Sequence, residues 1–291
     1  MEKWDTPIRG NEWRVDILAK REALTIHVGC QFEYEAQHEV PAICLVRPSG
    51  FDGVRLMSET WMTTPPVSYH DYVDLYDNVC RRLTLPAGLA TIYYDARVEA
   101  PGDAEATDPT AQQTPVEALP DDVLVYTLPS RFCLSDELYD RAWELFGTTA
   151  TGWAQVQAIV QFVHDHVKFG YQFTTPTTTS SDVLANGTGV CRDFTHLGIA
   201  LCRAMSIPAR YVFGYIPDID VEPLDAPMDF CAWFEAYLDG RWWTFDPRNN
   251  ARRRGRIIIA RGRDAADVPM VTTYGSATFK GMTCWAEQVA P

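Results

Sequence analysis

The pair Asp239-Gly240 lies between two runs that read as strands, Cys231 to Leu238 and Arg241 to Phe245. Asp-Gly between strands is the signature of a two-residue hairpin turn, whose central residues take positive φ. Such a turn fixes the register. Leu238 faces Arg241, and the pairing runs outward until Trp233 faces Asp246. Cys231 is two residues before Trp233, so it shares that face and becomes a diagonal neighbour of Asp246, roughly 7–8 Å away at the backbone. The other face carries Ala232, Phe234, Ala236, Leu238, Trp243 and Phe245, an apolar surface suited to burial. The hairpin therefore presents a thiol and a carboxylate together on its more polar side, the arrangement expected of a base on one strand and its orienting carboxylate on the next.

A second element points at the same place. Gly187-Thr188-Gly189-Val190-Cys191 is a glycine-rich turn that opens an amphipathic helix with apolar positions Phe194, Leu197, Leu201 and Met205. Pro208 stops that helix. Cys191 then sits where backbone N–H groups lack partners and the helix dipole is positive. Both effects are expected to favour thiolate. Cys202, on the apolar face of the same helix, reads as packing. Arg192 and Asp193 are placed for a local ion pair at the helix start.

Residues 22–100 read as β-structure, with strands over Leu24 to Tyr34, Arg81 to Leu85 and Ala90 to Val98. Residues 106–120 are rich in Pro, Ala, Thr and acid, the composition of a linker or long loop. The chain is thereby expected to divide into an N-terminal β-rich domain (1–105), a linker (106–120) and a second domain (121–291). In the second, a short helix ending at Phe146 is followed by an amphipathic one with Val156, Ile159, Val160, Val163 and Val167 on one stripe. A Thr-rich loop covers 174–181. Strands follow at Ala209 to Tyr215, in the hairpin, and at Arg256 to Ala260. The fold class is α+β.

Gly189-Val190-Cys191-Arg192-Asp193-Phe194, Asp229-Phe230-Cys231-Ala232-Trp233-Phe234-Glu235-Ala236-Tyr237 and Thr244-Phe245-Asp246-Pro247 together resemble the core motifs of bacterial transglutaminase-like proteins of the papain-like superfamily. The similarity spans about residues 20 to 275. It implies a papain-like core with an antiparallel sheet, preceded by a β-sandwich-like domain. It also implies acyl transfer or hydrolysis at amide or thioester bonds through a thioester on Cys191, with Asp246 as the orienting carboxylate. Tyr171, Gln172 and Trp233 are candidates for the oxyanion site or cleft wall. The departure is at position 231, where the family places histidine and this chain has cysteine. None of the six histidines (27, 38, 70, 164, 166, 196) lies in the hairpin. His196 is rotated by about 140° from Cys191 on its helix, and His164 and His166 end the preceding one.

Loss of such a base costs about 10⁴- to 10⁶-fold in rate, against roughly 0.3–2 kcal/mol recoverable from the helix dipole. Three readings follow. One is a thiol enzyme with an altered Cys-Cys-Asp site, acting on a peptide or acyl-group substrate without a cofactor. The second is a degenerate member that binds a peptide or acyl partner. The third is a zinc or redox site of Cys191, Cys231 and Asp246. The formal net charge of −14 argues against nucleic acid as a partner. No segment is apolar enough to span a membrane, and none at the N-terminus resembles a signal peptide. A cytoplasmic location with free thiols is therefore expected.

Overall fold

A computed structural model of the chain describes residues 22–222 and 227–290. The expected N-terminal strands form β1 (Leu24–Ala36), β2 (Val40–Cys44), β3 (Arg55–Thr64), β4 (Tyr69–Val73), β5 (Val79–Leu85) and β6 (Gly88–Ala100). β1 and β6 pair antiparallel along their whole length, from Leu24 opposite Ala100 to Ala36 opposite Gly88, and β3 flanks β6. β2, β5 and β4 belong to a second antiparallel sheet. Alternation decides what is buried. Ile26, Val28, Phe32, Ile92 and Tyr94 from the first sheet, and Leu83 and Leu85 from the second, join one apolar cluster. Burying a side chain of this size contributes about 1.5–3 kcal/mol.

The second region begins with α1 (Asp121–Leu124), α2 (Tyr139–Phe146) and α3 (Trp153–His166). Two short strands, β7 (Lys168–Phe169) and β8 (Thr188–Gly189), enclose α4 (Ser180–Asn186), and α5 (Cys191–Ala204) follows directly. Then come β9 (Ala209–Tyr215), β10 (Cys231–Leu238), β11 (Arg241–Phe245) and β12 (Ile257–Gly262), an antiparallel sheet in the order β11-β10-β9-β12. The hairpin has the register that its turn dictates: Leu238 is opposite Arg241 and Phe234 opposite Phe245, with Asp239 and Gly240 at φ 47° and 75°. α5 lies on the Ala232/Phe234 face of the sheet. Its Gly198 is so close to Phe234 that an added Cβ would lie 2.8 Å from that ring.

Three features differ from expectation. The end of the Thr-rich segment is helical, because Thr179 and Asp182 form a capping box: the Asp182 carboxylate accepts from the Thr179 N–H at 2.9 Å and the Thr179 hydroxyl accepts from the Asp182 N–H at 3.3 Å. The stretch 106–120 is tied to the core. Trp153 N–H donates to the Ala111 carbonyl at 2.9 Å, and Asp239 N–H to that of Gln112 at 3.0 Å. The Ala111 and Gln112 carbonyls are thus satisfied by the core, while most of the stretch stays exposed. Finally, β13 (Val271–Thr273) pairs with β2 and β14 (Ala277–Val289) pairs with β1. Strands from the far end of the chain thus complete both N-terminal sheets.

Candidate active site

The glycine turn builds the position of Cys191. Gly187 takes the left-handed conformation (φ 62°) that ends α4. Gly189 leaves room for Asp193: a Cβ there would fall 2.6 Å from the Asp193 Cβ. Asp193 can then turn back to accept the Val190 N–H at 2.9 Å, which closes the first turn of α5. Arg192 donates to Asp193 at 2.9 Å, the expected ion pair. β8 pairs in parallel with β7. Because β7 leads into the single turn Tyr171–Phe173 and β8 leads into Cys191, this small pairing carries Tyr171 to the cysteine.

The Cys191 sulfur lies against the start of β10. It donates to the Phe230 carbonyl at 3.8 Å, and the Ala232 N–H points back at it. These backbone groups flank Cys231, so the two thiols are neighbours. Arg248 Nη1 donates to the Cys231 sulfur at 3.6 Å, and its guanidinium is held over the Phe169 ring at 4.3 Å. Asp229 accepts from the Tyr171 hydroxyl at 3.2 Å and from the Phe230 N–H at 2.7 Å.

The electrostatics overturn the expectation of an acidified thiol. Burial, reinforced by the neighbouring Cys231, pushes Cys191 up to about 12 against the lowering influence of Arg248 and the Ala232 N–H. Burial likewise raises Cys231 to about 11. Desolvation at this packed helix end therefore outweighs the dipole. Burial also raises the Asp229 carboxyl, although the Phe230 N–H, Tyr171 and Arg248 oppose it. Asp229 thus has more affinity for a proton than an ordinary carboxylate.

Asp246 is buried behind this group. It accepts from Arg256 Nη2 at 2.7 Å and from the Asn249 N–H and Nδ2 at 2.9 and 2.7 Å. Burial would raise its carboxyl, but Arg256 and Asn249 prevail and hold it below the usual range. Among the described residues none of its hydrogen bonds goes to Cys231; the two interact through space. Trp233 is fully buried with Val212, Ile216 and Ile258 on the sheet face away from α5. Gln172 is exposed. Its side-chain oxygen lies near Gly170, and among the described residues no hydrogen bond carries it to Cys191.

His164, His166 and His196 hold structural positions. His164 donates from Nδ1 to the Pro247 and Arg248 carbonyls at 3.1 Å, bracing the turn after Asp246. His166 bonds the Leu184 carbonyl at 2.7 Å. His196 is buried, stacked on Phe132, and accepts the Ala265 N–H at 3.2 Å; burial and the charges of Arg192 and Arg203 keep its ring neutral. Among the described residues no group of three or more His, Cys, Asp or Glu is placed to hold a metal ion. No helix of these residues is long and apolar enough to cross a membrane.

Residues 140–247 match the family model described as the transglutaminase-like superfamily. A crystal structure described as a "putative cysteine protease" from Cytophaga hutchinsonii superposes with a TM-score of 0.84 at 30% identity, covering 94% of this chain and 93% of that one. An uncharacterized protein of Mycobacterium leprae is 40% identical over 90 residues, 30% of this chain and 32% of its own length. One of Mycobacterium bovis is 38% identical over 106 residues, 33% of each. The chain spans about a third of the length of the curated relatives it matches.

Proposed function

Because the chain belongs to the transglutaminase-like superfamily, we propose that it is a thiol acyltransferase or hydrolase that works through Cys191 on activated acyl groups such as thioesters. The observation that carries this reading is the Cys191 sulfur at the tip of α5, with the proton-seeking Asp229 and its Tyr171 partner beside it. Asp229 takes the thiol proton, directly or through the Tyr171 hydroxyl. The thiolate attacks the acyl carbonyl, a bond forms between sulfur and carbon, and the bond to the departing thiolate breaks. N–H groups of the first turn of α5 favour the transient oxyanion. A thiolate leaves with little acid assistance, whereas an amine needs a proton donor of the kind that the missing imidazole provides. This difference is why thioesters rather than amides suit a Cys-Cys-Asp site. Eight free thiols support a reducing, cytoplasmic setting.

Incubation with an acetyl thioester of N-acetylcysteamine tests the proposal. Intact-mass spectrometry should find one acetyl group, mapped to Cys191 and absent from Cys191→Ala. An unmodified wild-type protein, or an adduct that persists in the variant, sinks the reading. The raised thiol favours a second reading, in which the site only binds an acyl or peptide partner. In that case no adduct forms, and Cys191→Ala binds the partner as the wild type does.

A further inference from the structure

Arg248 reaches the active site from the turn that follows Asp246, and it brings a charge without a carboxylate of its own. The other arginines around the site are committed: Arg192 to Asp193 and Thr174, Arg256 to Asp246 and Glu105. Among the described residues Arg248 makes one hydrogen bond, from Nη1 to the Cys231 sulfur at 3.6 Å. A thiol is a weak acceptor, so this contact leaves the charge unmatched. The guanidinium is nevertheless held in place, over the Phe169 ring at 4.3 Å. Its Nε and Nη2 groups have no partner, and neither is among the buried unpartnered atoms of the described residues. Both are therefore open to solvent and to a ligand.

Nε and Nη2 form one edge of the guanidinium, and Arg81 shows what that edge holds. Its Nε and Nη2 each donate to one oxygen of Asp71, both at 2.7 Å, the two-pronged grip that favours carboxylates. On Arg248 the same edge is empty. Asp229 feels the charge of Arg248 through space but makes no ion pair with it; it accepts from Tyr171 and Phe230 instead. While Asp229 holds the thiol proton it is neutral, so during acyl transfer even this influence is gone. Resting on the reading of Cys191 as the acylated thiol, we propose that Arg248 determines specificity: the acyl groups that Cys191 takes carry a carboxylate close to the carbonyl, as in the monothioester of a short dicarboxylic acid, and that carboxylate docks on the Nε–Nη2 edge.

Alkylation of Cys191 in the full chain by iodoacetate and, separately, by iodoacetamide tests the proposal, with rates followed at pH 9 by peptide mass spectrometry. The two reagents differ in one group, a carboxylate against a neutral amide. Both need the same thiolate, so the ratio of their rates is independent of how much thiolate is present, and a merely structural role of Arg248 would not move it. Neither reagent needs acyl transfer, so failure of this inference is distinguishable from failure of the thioester reading. The iodoacetate-to-iodoacetamide ratio at Cys191 should exceed that of 2-mercaptoethanol by about fivefold, and Arg248→Gln should return it to the 2-mercaptoethanol value. A wild-type ratio no higher than that of 2-mercaptoethanol overturns the assignment, and this comparison decides the matter even if the variant does not fold. A raised ratio that persists in folded Arg248→Gln overturns it as well.

Discussion

The Cys191 sulfur lies between the Phe230 carbonyl and the Ala232 N–H, so the side chain at position 231 is placed to act on it. Cysteine there is a weak base held neutral. Replacing it by histidine should lower the Cys191 pKa and raise kcat/KM on p-nitrophenyl acetate by up to about 10⁴-fold, with the pH profile gaining a plateau near neutrality. An unchanged profile would mean that position 231 has no part in proton transfer. For the wild type, a thiol raised to about 12 is about one part in 10⁵ ionised at pH 7. Alkylation of Cys191 by iodoacetamide should therefore climb about tenfold per pH unit from 7 to 10, and levelling off by pH 8 would contradict it. Cys191, Cys231 and Asp246 are legible in the sequence because turn chemistry and helix entry mark them. Asp229 and Arg248 are not. Asp229 opens one of the motifs but carries no local sign of a role, and Arg248 reaches Cys231 only after the turn closed by Asn250 N–H on the Asp246 carbonyl at 2.7 Å.

At the scale of elements, the entry to α5 depends on the absence of a side chain at residue 189. Gly189→Ala forces a methyl group against the Asp193 Cβ. It should cost about 1–3 kcal/mol and loosen the first helical turn. Thermal melting should show the loss, and faster alkylation of Cys191 should accompany it; a variant with wild-type melting and labelling would refute this account of the turn. The strands and helices with a strong period were readable from sequence, down to the hairpin register. α4 was hidden because only its capping box, not an apolar stripe, specifies it. β7 and β8, two residues each, exist only because they find one another. No local signal announces a pairing of that length, yet it brings Tyr171 to the site.

At the scale of the whole molecule, burial raises all eight thiols, five of them to values between about 11 and 12 and the others further. An unfolded cysteine ionises near 8.5. The folded state thus holds protons that the unfolded chain releases. The resulting stability is complete below about pH 8.5 and is lost as pH rises toward the folded values. The melting temperature should fall steadily above pH 9, and replacement of the buried Cys30 and Cys202 by alanine should flatten that slope. A melting temperature constant to pH 10.5 would count against it. The pairing of β14 with β1 carries a different consequence, one of timing. Roughly 240 residues separate these strands, and synthesis adds about 5–20 residues per second. For something like 12–50 s on the ribosome, β1 has β6 on one side and an open edge on the other. Such an edge invites pairing with other chains, so yield of this protein should respond to slower translation or to chaperones that shield nascent strands.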